Sequence, residues 1–84
     1  MNTLKEILAI LDEVLVLNGR SATFTENTPL LGAIPELDSM AVVALLSQME
    51  ERLGLSISDD EIEGAMFATV GALVSFVDSK LRTA

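Results

Sequence analysis

Asp38-Ser39-Met40 is the tripeptide of this chain whose residue types and placement could carry chemistry. It lies where a loop containing Pro29, Gly32 and Pro35 gives way to a helical repeat of apolar residues. A serine in the first turn of a helix presents its hydroxyl to solvent, and the unpaired backbone N–H groups beside it form a seat for a phosphate. A phosphodiester carried on Ser39 would therefore sit in a favourable field. Asp and Ser are equally ordinary capping residues at helix starts, so the tripeptide alone does not separate a modified serine from a plain cap.

The rest of the composition narrows the chemistry. The chain has no histidine and no cysteine, so the usual general base, the thiol nucleophile, the disulfide and the commonest zinc ligands are all missing. Ser39 has no His or evident Lys to activate it, which argues against an enzyme. The segment Asp59-Asp60-Glu61-Ile62-Glu63-Gly64 superficially suggests a calcium loop, with Gly64 at its sixth position. Phe67 and Val70 then fall where the loop needs its later ligands, including the bidentate Glu, so no metal site is expected. Thirteen acidic against five basic residues leave a formal charge of −8. That balance repels nucleic acid and steers the chain toward basic protein surfaces.

The elements that must position Ser39 are helices. The chain is 84 residues long, enough for one domain over residues 1–84, and its apolar half is Leu, Ile, Val, Ala and Met rather than aromatic. Thr3 and Glu6 read as a capping box for a first helix carrying Leu4, Ile7, Leu8, Leu11, Val14 and Leu15, with Asn18-Gly19 as its end. A long connection from about Arg20 to Leu37 follows. Phe24, Leu30, Leu31, Ile34 and Leu37 are expected to tuck it against the bundle as an ordered loop.

Asp38 caps a second helix with Val42, Val43, Leu46, Met49 and Leu53 on one face, stopped by Gly54. Ser58 and Glu61 read as a second capping box, opening a short acidic helix over Asp59–Glu63. Thr69 caps a last helix with Val70, Leu73, Val74 and Val77 inward, ending near Leu81 with Lys80 and Arg82 at its negative end. The expectation is an all-α, small four-helix bundle with a long ordered loop between helices one and two and a short third helix.

In this order and spacing the chain resembles the acyl carrier protein family. Pro35-Glu36-Leu37-Asp38-Ser39-Met40 through Glu50-Glu51-Arg52-Leu53-Gly54 is similar to the family's D-S-L-like motif and second helix. Ile57-Ser58-Asp59-Asp60-Glu61 resembles its third-helix entry, and Phe67-Ala68-Thr69-Val70-Gly71-Ala72-Leu73 with Phe76-Val77 its fourth-helix signature.

The resemblance implies a non-enzymatic carrier. A phosphopantetheinyl transferase would move 4′-phosphopantetheine from coenzyme A to Ser39, flanked by Asp38 and Met40, and the arm would hold acyl groups as thioesters. It also implies that an acyl chain can fold back between helices, with Val43, Leu46, Ile62 and Met66 as candidates to line the pocket. Phe67 is a further one. Each of these side chains would equally serve as plain core.

One departure stands out. Where fatty-acid-synthesis carriers have acids soon after the serine, this chain reads Ala41-Val42-Val43-Ala44, and acids return only at Glu50 and Glu51. The expected partner surface is therefore Glu36, Met40, Ala41, Ala44, Glu50 and Glu51, with Ser47 and Gln48 as further candidates, relying more on apolar contact than on steering. This pattern suits a carrier of a specialised lipid, polyketide or exopolysaccharide-associated pathway, loaded by an acyl-AMP ligase or an acyltransferase and similar to the stand-alone carriers beside exosortase systems. A monomeric cytoplasmic protein without a membrane span is expected. The alternative is an unmodified helical module that docks on a partner.

Overall fold

The computed structural model describes residues 2–62 and 64–83. Among these, three α-helices run over Thr3–Leu15 (α1), Ser39–Leu53 (α2) and Val70–Thr83 (α3), with short 3₁₀ turns at Arg20–Thr23, Asp59–Glu61 and Gly64–Phe67. The short third helix of the expected bundle thus takes the form of two 3₁₀ turns. Glu63, which the acidic segment was expected to include, lies outside the described residues.

α1 begins one residue earlier than its capping box predicts. Asn2 is the cap, its side-chain oxygen accepting from the Lys5 N–H at 3.1 Å. Thr3 enters the helix and donates its hydroxyl to Asp78 on α3 at 2.5 Å. Asn is the stronger cap of the two, and a charged acceptor draws the Thr hydroxyl elsewhere.

The helix also stops before Asn18-Gly19. Val16 turns left-handed at φ 52°, and Asn18 (φ 55°) and Gly19 (φ 89°) shape the turn that follows. A β-branched residue there costs about 1–2 kcal/mol. The reversal leaves Val16 68% exposed but sends Leu17 into the core at 1% exposure, a burial that stabilises by about 1.5–3 kcal/mol.

α1 packs on both α2 and α3. Ile7, Ile10 and Leu11 of α1 meet a core built from Leu45 and Met49 of α2 and Val70, Leu73 and Val77 of α3, all fully buried. On α2 the inward face is rotated from the expected stripe: Leu45 is buried whereas Val43 is 66% exposed. The series Val42, Leu45, Leu46, Met49 and Leu53 keeps helical spacing and places Val43 at its edge. Gly54 closes α2 in the left-handed region at φ 70°, as its position in the sequence predicts. α3 is capped by the Thr69 hydroxyl, which accepts from Ala72 N–H at 3.1 Å, and runs two residues beyond Leu81.

The long loop is ordered by a backbone seam. Leu30 and Leu31 donate to the carbonyls of Ala68 and Phe67 at 3.0 and 2.9 Å, and Val70 and Gly71 donate to those of Thr28 and Glu26 at 2.9 and 2.8 Å. Leu30 and Leu37 are buried beneath it, with Phe24 and Ile34 partly so, while Leu31 stays 48% exposed rather than tucking in.

The seam brings two backbones so close that a Cβ on Gly71 would lie 2.9 Å from the Glu26 carbonyl oxygen. Gly71→Ala is therefore expected to destabilise the fold by about 1–3 kcal/mol, read as a lower denaturation midpoint in urea with an unchanged slope. An unchanged midpoint would mean that the loop gives way freely at this point.

Candidate functional site

Ser39 is the first residue of α2, and its side chain is exposed. Asp38 before it is extended and uses a carboxylate oxygen to accept from the Ala41 N–H at 2.8 Å. The Asp38 carbonyl takes the Val42 N–H at 2.9 Å. Among the described residues the N–H groups of Ser39 and Met40 meet no acceptor, so the positive end of the helix stays open beside the hydroxyl. A phosphodiester on Ser39 fits: the hydroxyl is accessible, donors adjoin it, and the nearest carboxylate is already engaged as the cap.

The approach to Ser39 is held from the loop side. Asp12 on α1 accepts from the Ser21 hydroxyl at 2.7 Å and from the Gly19 N–H at 3.1 Å. These bonds, the hydroxyl first, hold its carboxyl below the usual range. The neighbouring Arg20 donates its Nε–H to the Leu17 carbonyl at 3.2 Å and pairs with Glu36. That hydrogen bond lowers the Glu36 carboxyl as well. The second Glu36 oxygen is buried without a hydrogen-bond partner among the described residues. Glu36 thus ties the loop to the turn after α1 three residues ahead of Ser39.

Of the residues expected on a partner surface, Met40 (79% exposed), Ala44 and Glu51 face solvent. Ala41 is half-buried against the core. Glu36 is committed to Arg20, and Glu50 turns inward, one carboxylate oxygen accepting from the Ile57 N–H at 2.8 Å.

Of the pocket candidates, Val43, Leu46 and Ile62 come together around an open groove of about 250 Å³, completed by Ser47, Glu50 and Ile57. Met66 does not line it. The Gly64–Phe67 turn points Met66 and Phe67 into the core at 7% and 3% exposure. Ser47 and Glu50 were detectable in the sequence, because they follow Val43 by four and seven residues and so share its helical face. Ile57 had no such signal, since its place depends on the link after Gly54.

The far wall of the groove is pinned by Glu61. Its carboxylate accepts from Lys80 Nζ on α3 at 2.8 and 2.9 Å and from the Ser58 N–H at 2.9 Å. The Lys80 ammonium, then the Ser58 N–H, hold the Glu61 carboxyl below its ordinary value of 4.5. Among the described residues no three carboxylates converge where a metal ion could be held, and no helix is long and apolar enough to cross a membrane.

Comparison with known proteins gives this geometry its class. The model of a family described as the phosphopantetheine attachment site matches residues 5–77. The holo acyl carrier protein of Nitrosomonas europaea, solved in solution by NMR, is 46% identical, superposes with a TM-score of 0.91, and is matched over 98% of this chain and 99% of its own. No curated protein sequence matches the chain. The chain belongs to the acyl carrier protein family, a family of carriers and not of enzymes, with 4′-phosphopantetheine as the covalently held cofactor.

The Glu61 geometry has a consequence for stability against pH. A carboxyl lowered in the folded state contributes stability that is present above its ordinary value and is lost as pH falls through the lowered one. Glu61→Gln is expected to be less stable at neutral pH and to lose less stability on acidification below 4.5, followed by urea denaturation across that range. Parallel acid limbs for the two proteins would show that the Lys80 contact contributes nothing.

Proposed function

We propose that Ser39 is the attachment point of the 4′-phosphopantetheine arm and that the chain presents acyl groups on it to partner enzymes in the cytoplasm, the whole chain acting as one carrier domain. One observation carries this reading: an exposed serine hydroxyl in the first turn of α2, beside two N–H groups without acceptors, inside the stretch matched by the attachment-site family. In the transfer, the Ser39 oxygen forms a bond to the phosphorus that carries the pantetheine of coenzyme A, the bond to the nucleotide half breaks, and the serine proton leaves to a base. The chain has no histidine to be that base, so base and metal ion come from a phosphopantetheinyl transferase. Once bound, the arm supplies a thiol on which acyl groups are held as thioesters, chemistry that a chain without cysteine lacks.

The residues of this chain then position rather than react. Asp38 fixes the start of α2 and so the origin of the arm. The Asp12 and Glu36 contacts hold the loop clear of it. The groove of Val43, Leu46, Ile57 and Ile62, with Ser47 and Glu50 beside them, offers an acyl chain a resting place lined mainly by hydrocarbon.

The pathway is read from the exposed side of α2. Met40, Val43 and Ala44 present apolar or small side chains there, and Glu50 is withdrawn to Ile57, leaving Glu51 as the exposed acid at the far end. Such a surface selects partners by contact rather than by long-range charge. We place the carrier in a specialised lipid, polyketide or exopolysaccharide-associated pathway, with loading by an acyl-AMP ligase or acyltransferase.

Incubation with coenzyme A and a broad-range transferase is expected to add the mass of one phosphopantetheine to the chain and none to Ser39→Ala. Absence of the gain, or an equal gain in the variant, overturns the reading and leaves an unmodified docking module. Ala44→Glu, at an exposed position more than one turn beyond Ser39, is expected to accept the arm nearly as well as the parent chain. Loading by the cognate enzyme should fall by about tenfold. Undiminished loading would place the contact surface elsewhere.

A further inference from the structure

The groove beside α2 is not uniformly apolar. Val43, Leu46, Ile57 and Ile62 supply hydrocarbon, but Ser47 and Glu50 face the same space from α2. One Glu50 oxygen is used by the Ile57 N–H at 2.8 Å. The other has no hydrogen-bond partner among the described residues, and neither has the Ser47 hydroxyl. Both are open to solvent, and so to water, while the groove stands open.

An unsubstituted hydrocarbon chain entering this space would strip that water and return nothing, leaving a carboxylate oxygen and a hydroxyl unpaired. A chain bearing a hydrogen-bond donor would replace the lost water. A carboxylate oxygen only accepts, so the donor has to come from the chain, and the bond formed is charge-assisted. An ammonium would also donate, but its own desolvation among Val43, Leu46, Ile57 and Ile62 would be unfavourable. A hydroxyl meets both requirements.

We propose that the groove favours hydroxylated acyl groups over saturated ones, with the free oxygen of Glu50 as the specificity-determining acceptor and Ser47 as its partner. The inference rests on the reading of Ser39 as the attachment point. It implies that the enzymes supplying or consuming the cargo act on an acyl chain that is already hydroxylated.

The test uses the full chain, loaded in one step by a broad-range transferase from octanoyl-coenzyme A and from a set of hydroxyoctanoyl-coenzyme A thioesters differing in hydroxyl position. Two quantities are read: the amide shift of Ile57 with the methyl shifts of Val43, Leu46 and Ile62, and the rate at which hydroxylamine cleaves the thioester. At least one hydroxylated chain is expected to move the Ile57 amide and to be cleaved about fivefold more slowly than octanoyl. In Glu50→Gln the amide oxygen still accepts from Ile57, but an NH2 group replaces the free oxygen. The charge-assisted bond then gives way to a neutral one in which the cargo hydroxyl accepts, and the ratio is expected to fall toward one. Ser47→Ala, at an exposed position, is expected to lower it more modestly and serves if the first variant folds poorly.

Octanoyl protected as well as every hydroxylated chain overturns the selectivity. Groove signals unmoved by any chain, with the mass gain on Ser39 intact, overturn it too while leaving the carrier reading standing. Absence of the mass gain overturns both.

Discussion

The backbone seam between the long loop and the segment leading into α3 is the constraint on which the rest depends. Four N–H groups, from Leu30, Leu31, Val70 and Gly71, find carbonyl partners across it. A connection of this length crossing a small helical domain would otherwise leave many backbone groups to water and its apolar side chains without a fixed seat. With the seam in place, Leu30 and Leu37 become core residues, and α2 starts where the loop delivers it. The position of Ser39 follows from interactions made well away from it.

The cations of this acidic chain are largely spent inside the molecule. Arg20 meets Glu36, Arg52 meets Glu13 and Lys80 meets Glu61. Each pair joins two segments separated in sequence: the turn after α1 with the loop, α2 with α1, and α3 with the first 3₁₀ turn after α2. Exposed pairs of this kind add little stability one by one. Their effect is to choose among arrangements of the loops, and the negative charge left over faces outward, where it repels other acidic surfaces.

Features governed by local rules were legible in the sequence. Asp38, Gly54 and Thr69 mark helix ends because a cap joins residues three or four apart. The helix order, the ordered loop and the exposed serine opening α2 came from the same rules. What escaped was set by distant partners. Thr3 gives up its capping role to reach Asp78, 75 residues away, and α1 breaks at Val16 because Leu17 gains a place in a core that the sequence does not display. Met66 looked like a groove residue by proximity in sequence, yet the direction of the Gly64–Phe67 turn sends it inward. Glu50 looked like surface until the link after Gly54 brought the Ile57 amide to it.

The groove has one wall of α-helix and one formed by Ile57 and Ile62, which flank the 3₁₀ turn Asp59–Glu61. The α2 wall carries a full ladder of backbone bonds. The opposite wall has short turns with poorer bonds, held at Glu61 by Lys80 and anchored by Met66 and Phe67. Local opening is therefore least costly on that side. The width of the groove is then a time average over an equilibrium, and any occupant that touches Ile57 or Ile62 shifts that equilibrium toward the closed wall. By linkage, whatever stiffens the wall must bind an occupant more tightly, so the affinity for an occupant and the stability of the wall are two measures of the same free energy.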